Sequence, residues 1–264
     1  MAKQHVPIGK NGIEKIIHNA GYKFCKAKVC LTSNDPDYEQ KVQEIMNTLA
    51  NLKADEKFFS IDEFGPFAVK MQAGRSYMKP GQVRVVPLFQ KSKGVLIVTA
   101  ALELSENQVT HFYSAHKNTD EMLKLLEVLL VKYADQSCIY ISWDAASWHA
   151  SKRLYTRVEE VNSPEYQAGH TCPRVKLAPL PSRAQFLNVI ESVFSGMAKA
   201  VIHNSDYQSV IEAMSAIDSY FAERNQEFKD RPKRAGGKIW RQEIVVAKFR
   251  EANNCKDERY MQMR

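Results

Sequence analysis

The chain has 264 residues, of which 44% are hydrophobic and 25% are charged, which is the composition of an ordinary globular protein. This length allows one large domain, or one domain with a partial second, and a core large enough to fold without disulfides. No apolar run approaches the ~18 residues that a membrane-spanning helix needs, so we expect no membrane segment. The net charge of +7 favours a polyanionic partner such as nucleic acid, although a merely basic globular protein would carry the same charge.

Cysteine usage and the first residues bear on the cellular compartment. The cysteines are scattered, and neither the Cys25 and Cys30 pair nor the His170 and Cys172 pair has a partner pair at zinc-finger spacing. The first ten residues are polar and are interrupted by Pro7, unlike a secretory signal. We therefore expect a reducing, cytoplasmic setting.

The N-terminal part predicts two helices separated by a basic segment. Residues 12–20 have apolar positions at helical spacing, and Gly21 follows as a helix-ending glycine. Residues 22–29 alternate and are basic, which is typical of an extended arm. Asp35 opens a turn and is the expected cap of a helix that runs to about Leu52.

Strand patterns and then helix patterns fill the remainder. A buried strand is predicted at residues 57–62, and turn signals separate further strand patterns at residues 67–71, 83–89, 94–104 and 109–113. Helices are predicted at residues 118–133, 146–161, 184–202 and 205–228, with strands at residues 138–143 and 175–177. An antiparallel meander followed by alternating helices and strands predicts an α/β fold, with a mixed sheet and helices on both faces.

Three carboxylates stand where the surrounding pattern is apolar. Asp62 ends the first buried strand, Asp144 ends the strand at residues 138–143, and Glu191 lies just inside a predicted helix. Carboxylates brought together would repel one another unless divalent cations screened them, and Mg²⁺ prefers hard oxygen ligands and substrate phosphates. The three acids therefore indicate phosphodiester chemistry.

Each acid also has a simpler interpretation. Asp62 is compatible with a strand-end turn, Asp144 with a helix cap, and Glu191 with an exposed helix position. Glu63 is expected to be a neighbouring supporting group, because successive strand residues point to opposite faces. The motifs in which the acids occur, and the order of those motifs, favour catalysis.

Three stretches resemble the catalytic motifs of the bacterial mariner-like insertion-sequence transposases, which belong to the DDE transposases. They are residues 58–65 (FFSIDEFG), 140–149 (YISWDAASWH) and 177–191 (LAPLPSRAQFLNVIE). The match departs from the family where Ala145 replaces an asparagine and Val189 replaces a proline. Neither change removes a carboxylate.

The resemblance implies a fold, a site and a reaction. It implies a ribonuclease-H-like fold in which Asp62, Asp144 and Glu191 are the catalytic and metal-binding residues. The cofactors would be two Mg²⁺ (or Mn²⁺) ions, which support strand cleavage at the element end and transfer of the 3′-hydroxyl into target DNA. The implied partners are duplex DNA, as terminal inverted repeats and target, and further copies of the chain in a homodimer or larger active complex.

Basic residues near these motifs are candidate contacts to the DNA backbone, although a solvated surface charge is the simpler interpretation of each one alone. His149 follows the second acid by five positions and would contact phosphate or pack as an ordinary histidine. The candidates are Lys23, Lys26, Lys28, His149, Lys152 and Arg153.

The domain organisation follows from the same resemblance. Residues 1–52 would be a remnant of a winged helix-turn-helix domain with a linker helix, residues 53–230 the catalytic domain, and residues 231–264 a basic tail. Most of the family's helix-turn-helix domain is not recognisable in this chain. The alternative function is therefore a truncated transposase that binds DNA without cutting it. In either case we expect a cytoplasmic protein that associates with the bacterial nucleoid when it binds DNA.

Overall fold

The computed structural model describes residues 9–25, 33–75, 77–144 and 151–240. The chain divides into two units, Met1–Cys30 and Leu31–Arg264. Helix α1 (Lys10–Asn19) belongs to the first unit, and each of its apolar residues is at least partly exposed. It ends in a Schellman motif, because Gly21 (φ 84°) donates to the carbonyl of His18 and Tyr22 donates to that of Ile17. The predicted glycine stop is therefore confirmed.

A five-stranded mixed sheet forms the centre of the second unit. Its strands are β1 (Glu56–Ala68), β2 (Val95–Glu103), β3 (Gln108–Ser114), β4 (Cys138–Ser142) and β5 (Arg174–Leu177), in the spatial order β3-β2-β1-β4-β5. The first three strands pair antiparallel, whereas β4 pairs parallel with both β1 and β5. This arrangement confirms the predicted meander with parallel strands added at one edge.

Helices cover both faces of this sheet. They are α2 (Tyr38–Ala50), α3 (Thr119–Lys132), α4 (Lys152–Asn162), α5 (Pro164–Gly169), α6 (Ile190–Met197) and α7 (Val210–Asp230). The side chains of Asn118, Ser151 and Ser209 cap α3, α4 and α7 by accepting hydrogen bonds from first-turn amides. No helix of the described residues is long and apolar enough to span a membrane.

Alternation along β1 divides the interior into two cores. Phe58 faces the core formed with α2, α6 and α7, whereas Phe59 and Ile61 face the core formed with α3 and α4. Ser60 and Asp62 continue the face of Phe58, so they point towards α6. The period of two therefore determines which helices the first acid meets.

Asparagine side chains cap the backbone of both edge strands. Asn225 of α7 accepts from the amide of Val109 on β3 and donates to its carbonyl, both at 2.8 Å. Asn162 of α4 makes the same pair of 2.8 Å bonds to Val175 on β5. These bonds satisfy backbone groups that an edge strand otherwise presents to other chains.

Several predicted boundaries are wrong. The turn expected at Gly65 does not end the first strand, because β1 continues past it with an irregular register against β2 between Phe64 and Phe67. The strand expected at residues 83–89 does not form: the segment has no ladder partners and bends at Leu88 and Phe89, and Phe89 is 91% exposed. The helix expected at residues 184–202 is divided into a 3₁₀ turn, α6 and a π-helical turn.

Both ends of the second unit's described chain pack onto the sheet. Tyr38, Val42, Ile45 and Leu49 bury one face of α2 in the core with α6 and α7. At the other end, the amide of Ala235 donates to the carbonyl of Leu104, which fixes part of the predicted basic tail against β2. Residues that precede and follow the predicted catalytic segment, residues 53–230, therefore both pack against it.

Candidate active site

The pairing of β1 with β4 places two of the three acids side by side. The parallel register pairs Phe58 with Tyr140 and Ser60 with Ser142. The rings of Phe58 and Tyr140 stack with centroids 6.1 Å apart, so these positions share one face. Asp62 and Asp144 each follow the last of these pairs by two residues, so the period of two directs both towards that face, and the charge of Asp144 acts on Asp62.

Asp62 is a buried carboxylate held at both oxygens. It is 8% exposed, and its Oδ1 accepts the amide of Glu63 at 2.7 Å while its Oδ2 accepts Nδ2 of Asn188 at 2.8 Å. Burial, opposed by the Glu63 amide and reinforced by the negative charges of Asp144, Glu191 and Glu63, raises the pKa of Asp62 to about 7. The acids predicted to act together are therefore electrostatic neighbours.

The other two acids are more accessible than Asp62. Asp144 lies two residues beyond β4 and is half-buried, and the carbonyl of Trp143 beside it accepts the amide of Leu180 at 2.9 Å. Glu191 is exposed on the first turn of α6. The amide of Ile190 donates to Oγ of Ser60 at 3.1 Å, which anchors the start of that helix to β1.

The pattern of the sequence did not assign a role to Ser60 or Asn188. Both are buried, at 3% exposed, and Oγ of Ser60 donates to Oδ1 of Asn188 at 2.5 Å. In the sequence, the signal for Asn188 was its position as a polar residue inside an apolar segment, three positions before Glu191. The sequence analysis also assigned no role to Lys117. Its Nζ donates to the carbonyl of Glu63, the residue after Asp62, at 2.9 Å.

The donor chemistry of the three acids suits a hard divalent cation. Carboxylate oxygens are the ligands that Mg²⁺ and Mn²⁺ prefer, and the cost of burying Asp62 among like charges is one that a cation would relieve. Within the described residues, no three Asp, Glu, His or Cys side chains are already close enough to form a metal-binding group. The three acids therefore fit such an ion, both by their carboxylate oxygens and by their negative charges.

Three of the six candidate DNA contacts lie within the described residues. Lys23 is exposed in the first unit, and Lys26, Lys28 and His149 lie outside the described residues. Lys152 is exposed at the first position of α4. Arg153 follows it and pairs with Asp120 on α3 at 2.8 Å, with both side chains mostly exposed.

Comparison with protein families identifies the family of the segment that carries the three acids. The model of the DDE superfamily endonucleases matches residues 57–213, a segment that contains all three acids. This chain belongs to that family. No curated protein sequence matches it.

Solved structures of a mariner transposase, Mos1, are similar to the structure of this chain. The Mos1 paired-end complex with the left transposon end matches with a TM-score of 0.61 and 13% identity, over 90% of this chain and 72% of that one. The Mos1 strand transfer complex matches with a TM-score of 0.59 and 14% identity, over 88% and 67%. The catalytic domain of Mos1 mariner transposase gives 0.53 and 12%, over 82% and 92%. The sheet and helices therefore have the ribonuclease-H-like fold of the Mos1 catalytic domain.

Proposed function

We propose that this chain is the catalytic part of a mariner-like insertion-sequence transposase. It would cleave DNA strands at the ends of its element and transfer the resulting 3′-hydroxyl into target DNA, in the presence of Mg²⁺ or Mn²⁺. The observation that supports this most strongly is the buried Asp62 carboxylate, whose electrostatic neighbours are the two other acids of the DDE pattern. Family membership and fold agree with it.

The three acids of the proposed site would bind the cations together but differ in their exposure. Asp62, Asp144 and Glu191 would hold two divalent cations, which supply charge stabilisation at the attacking and leaving oxygens of a phosphodiester. Asp62 is fixed at both oxygens, so it offers its remaining lone pairs in one orientation. Asp144 and Glu191 are accessible to a substrate phosphate, whereas Asp62 is not exposed to bulk solvent.

The partners and domains follow from the same proposal. Duplex DNA is the proposed substrate, and at least two copies of the chain would hold two element ends together. Residues 1–52 would derive from a winged helix-turn-helix domain and its linker helix, residues 53–230 would form the catalytic domain, and residues 231–264 would form a basic tail. The source would be a bacterial insertion sequence.

A cleavage assay tests the proposal. The purified chain is incubated with supercoiled plasmid carrying the DNA that flanks its gene, with Mn²⁺, Mg²⁺ or Ca²⁺. We expect nicking with Mn²⁺ and Mg²⁺. The Asp144→Asn variant should lose about 1,000-fold in rate, because a site that holds its cations poorly forfeits several kcal/mol of charge stabilisation.

A second carboxylate provides the matched control. Glu159 is exposed on α4, and Glu159→Gln removes one negative charge without touching the proposed site. Its cleavage rate should equal that of the unmodified chain. Unchanged cleavage by Asp144→Asn would contradict the assignment. Tight DNA binding without any cleavage by the unmodified chain would favour the non-catalytic, DNA-binding alternative.

A further inference from the structure

The side-chain amide of Asn188 lies between the two elements that carry Asp62 and Glu191. Its Nδ2 donates to Oδ2 of Asp62 at 2.8 Å and to the carbonyl of Ile61 at 3.3 Å. Its Oδ1 accepts Oγ–H of Ser60 at 2.5 Å. Every polar atom of this buried amide is therefore bonded to strand β1, and one of its bonds ends on a proposed metal ligand.

The hydrogen-bond network fixes which way the amide faces. Oγ of Ser60 accepts the amide of Ile190 at 3.1 Å, so its hydroxyl hydrogen is available to Oδ1 of Asn188. Rotating the amide by 180° would turn its oxygen towards the carboxylate of Asp62 and the carbonyl of Ile61, which are both acceptors. While Asp62 is ionised, only the observed orientation satisfies all of these groups, and it presents a donor to Asp62.

Two other asparagines show what a purely structural amide does in this chain. Asn162 and Asn225 each bond both polar groups of one edge-strand residue, and both contact only main-chain atoms through these bonds. Asn188 differs because it bonds an acidic side chain and stands three residues before Glu191. The same residue therefore bonds one acid and stands just before the helix that carries another.

We propose that Asn188 is a positioning residue for the metal site, holding the Asp62 carboxylate in one rotamer and fixing its separation from Glu191. This inference rests on the proposed function, since it concerns the cations that the acids would hold. Ser60 supports it by orienting the amide and by bonding the first turn of α6. Groups that orient metal ligands in this way typically contribute 10- to 100-fold to metal affinity or activity.

The test compares Asn188→Leu with Asn225→Leu. Both substitutions replace an amide by an apolar group of similar size, and both remove side-chain bonds to a strand of the sheet. The readouts are the Mn²⁺ concentration that gives half-maximal plasmid cleavage and, without DNA, the rise in melting temperature that Mn²⁺ produces. The second readout measures binding alone, because a ligand that binds only the folded state raises its stability in proportion to ln(1 + [L]/Kd).

We expect Asn188→Leu to need about 10- to 100-fold more Mn²⁺ in both readouts. Asn225→Leu should melt at a lower temperature but keep the Mn²⁺ requirement of the unmodified chain. If Asn188→Leu does not fold, Ser60→Ala replaces it. That variant keeps the donor to Asp62 but removes the hydroxyl that holds Oδ1 of Asn188 and the first turn of α6. It should need about 5-fold more Mn²⁺, the equivalent of one neutral hydrogen bond.

The outcomes separate this inference from the function on which it rests. An unchanged Mn²⁺ requirement in a folded Asn188→Leu, or in Ser60→Ala where that variant replaces it, would overturn the positioning role and leave the proposed function intact. An equal shift in Asn225→Leu would also overturn it, because the effect would then be one of general stability. An unmodified chain that neither cleaves DNA nor is stabilised by Mn²⁺ would overturn both.

Discussion

At the scale of single residues, Asp62 combines two opposed conditions. Its carboxyl group is buried beside other negative charges, which disfavours ionisation, yet both oxygens accept hydrogen bonds that favour it. A protein that needed only a stable core would place an apolar residue at this strand position. Violations of local pattern of this kind concentrate at functional sites, where another interaction compensates for them.

Asp35 is a second buried carboxylate, but its surroundings stabilise its charge. Its oxygens accept Nζ of Lys41 at 2.8 Å and the amides of Ser182 at 2.7 Å and Asp37 at 3.0 Å. The residue was expected to cap the following helix, but the helix begins after Asp37, and Asp35 instead joins that turn to the segment before α6. Burial alone would raise the pKa of Asp35, but these bonds together lower it below the ordinary value.

We predict that Asp35→Asn destabilises the fold by about 2 kcal/mol at neutral pH, the value of hydrogen bonds to a charged group. Because the folded-state pKa of Asp35 is lowered, its charge stabilises the protein at pH values above the unfolded-state pKa of 3.8. That contribution is lost as the pH falls through the folded pKa. Thermal melting of both proteins at pH 7 and at decreasing pH below 4 checks this, and a difference in melting temperature that grows on acidification would contradict it.

At the scale of elements, the sequence predicts best where a pattern has a packing partner. The helix expected at residues 118–133 forms as α3, since its apolar stripe meets β1 and β4 and Asn118 caps it. Residues 83–85 also alternate, as Val-Arg-Val, but no strand pairs with residues 83–89. Arg84 instead bonds the loop at Asn204 and Ser205, and Val83 and Val85 stay exposed. Alternation specifies a strand only where a neighbouring strand can supply its hydrogen bonds.

The asparagine caps give a prediction for the edge strands. Asn162→Leu leaves the amide and carbonyl of Val175 without their side-chain partner, so β5 should open locally more often. We expect the amide of Val175 to exchange with deuterium about 10-fold faster, while that of Val109 on β3 keeps its rate. Asn225→Leu is the matched control. In that variant the amide of Val109 should exchange faster, and that of Val175 should keep its rate. Equal acceleration at both edges would mean that the caps act through global stability.

At the scale of the whole molecule, topology brings distant acids together. Asp62 and Asp144 are separated by three strands and a helix, and the parallel pairing of β1 with β4 makes them neighbours. The sequence allowed the three acids to be singled out because each interrupts an apolar pattern. It did not reveal the role of Asn188, since a single amide in a helical motif looks like any capping residue until its partners on β1 are known.

The central claim is that Asp62, Asp144 and Glu191 hold divalent cations in one site. Anomalous diffraction from crystals of the chain soaked in Mn²⁺ tests it most directly, with Asp62→Ala crystals as the control. We predict an anomalous peak within about 2.5 Å of carboxylate oxygens of Asp62 and Asp144, and its loss in the variant. Mn²⁺ bound elsewhere, or density at this site that persists in Asp62→Ala, would contradict the account.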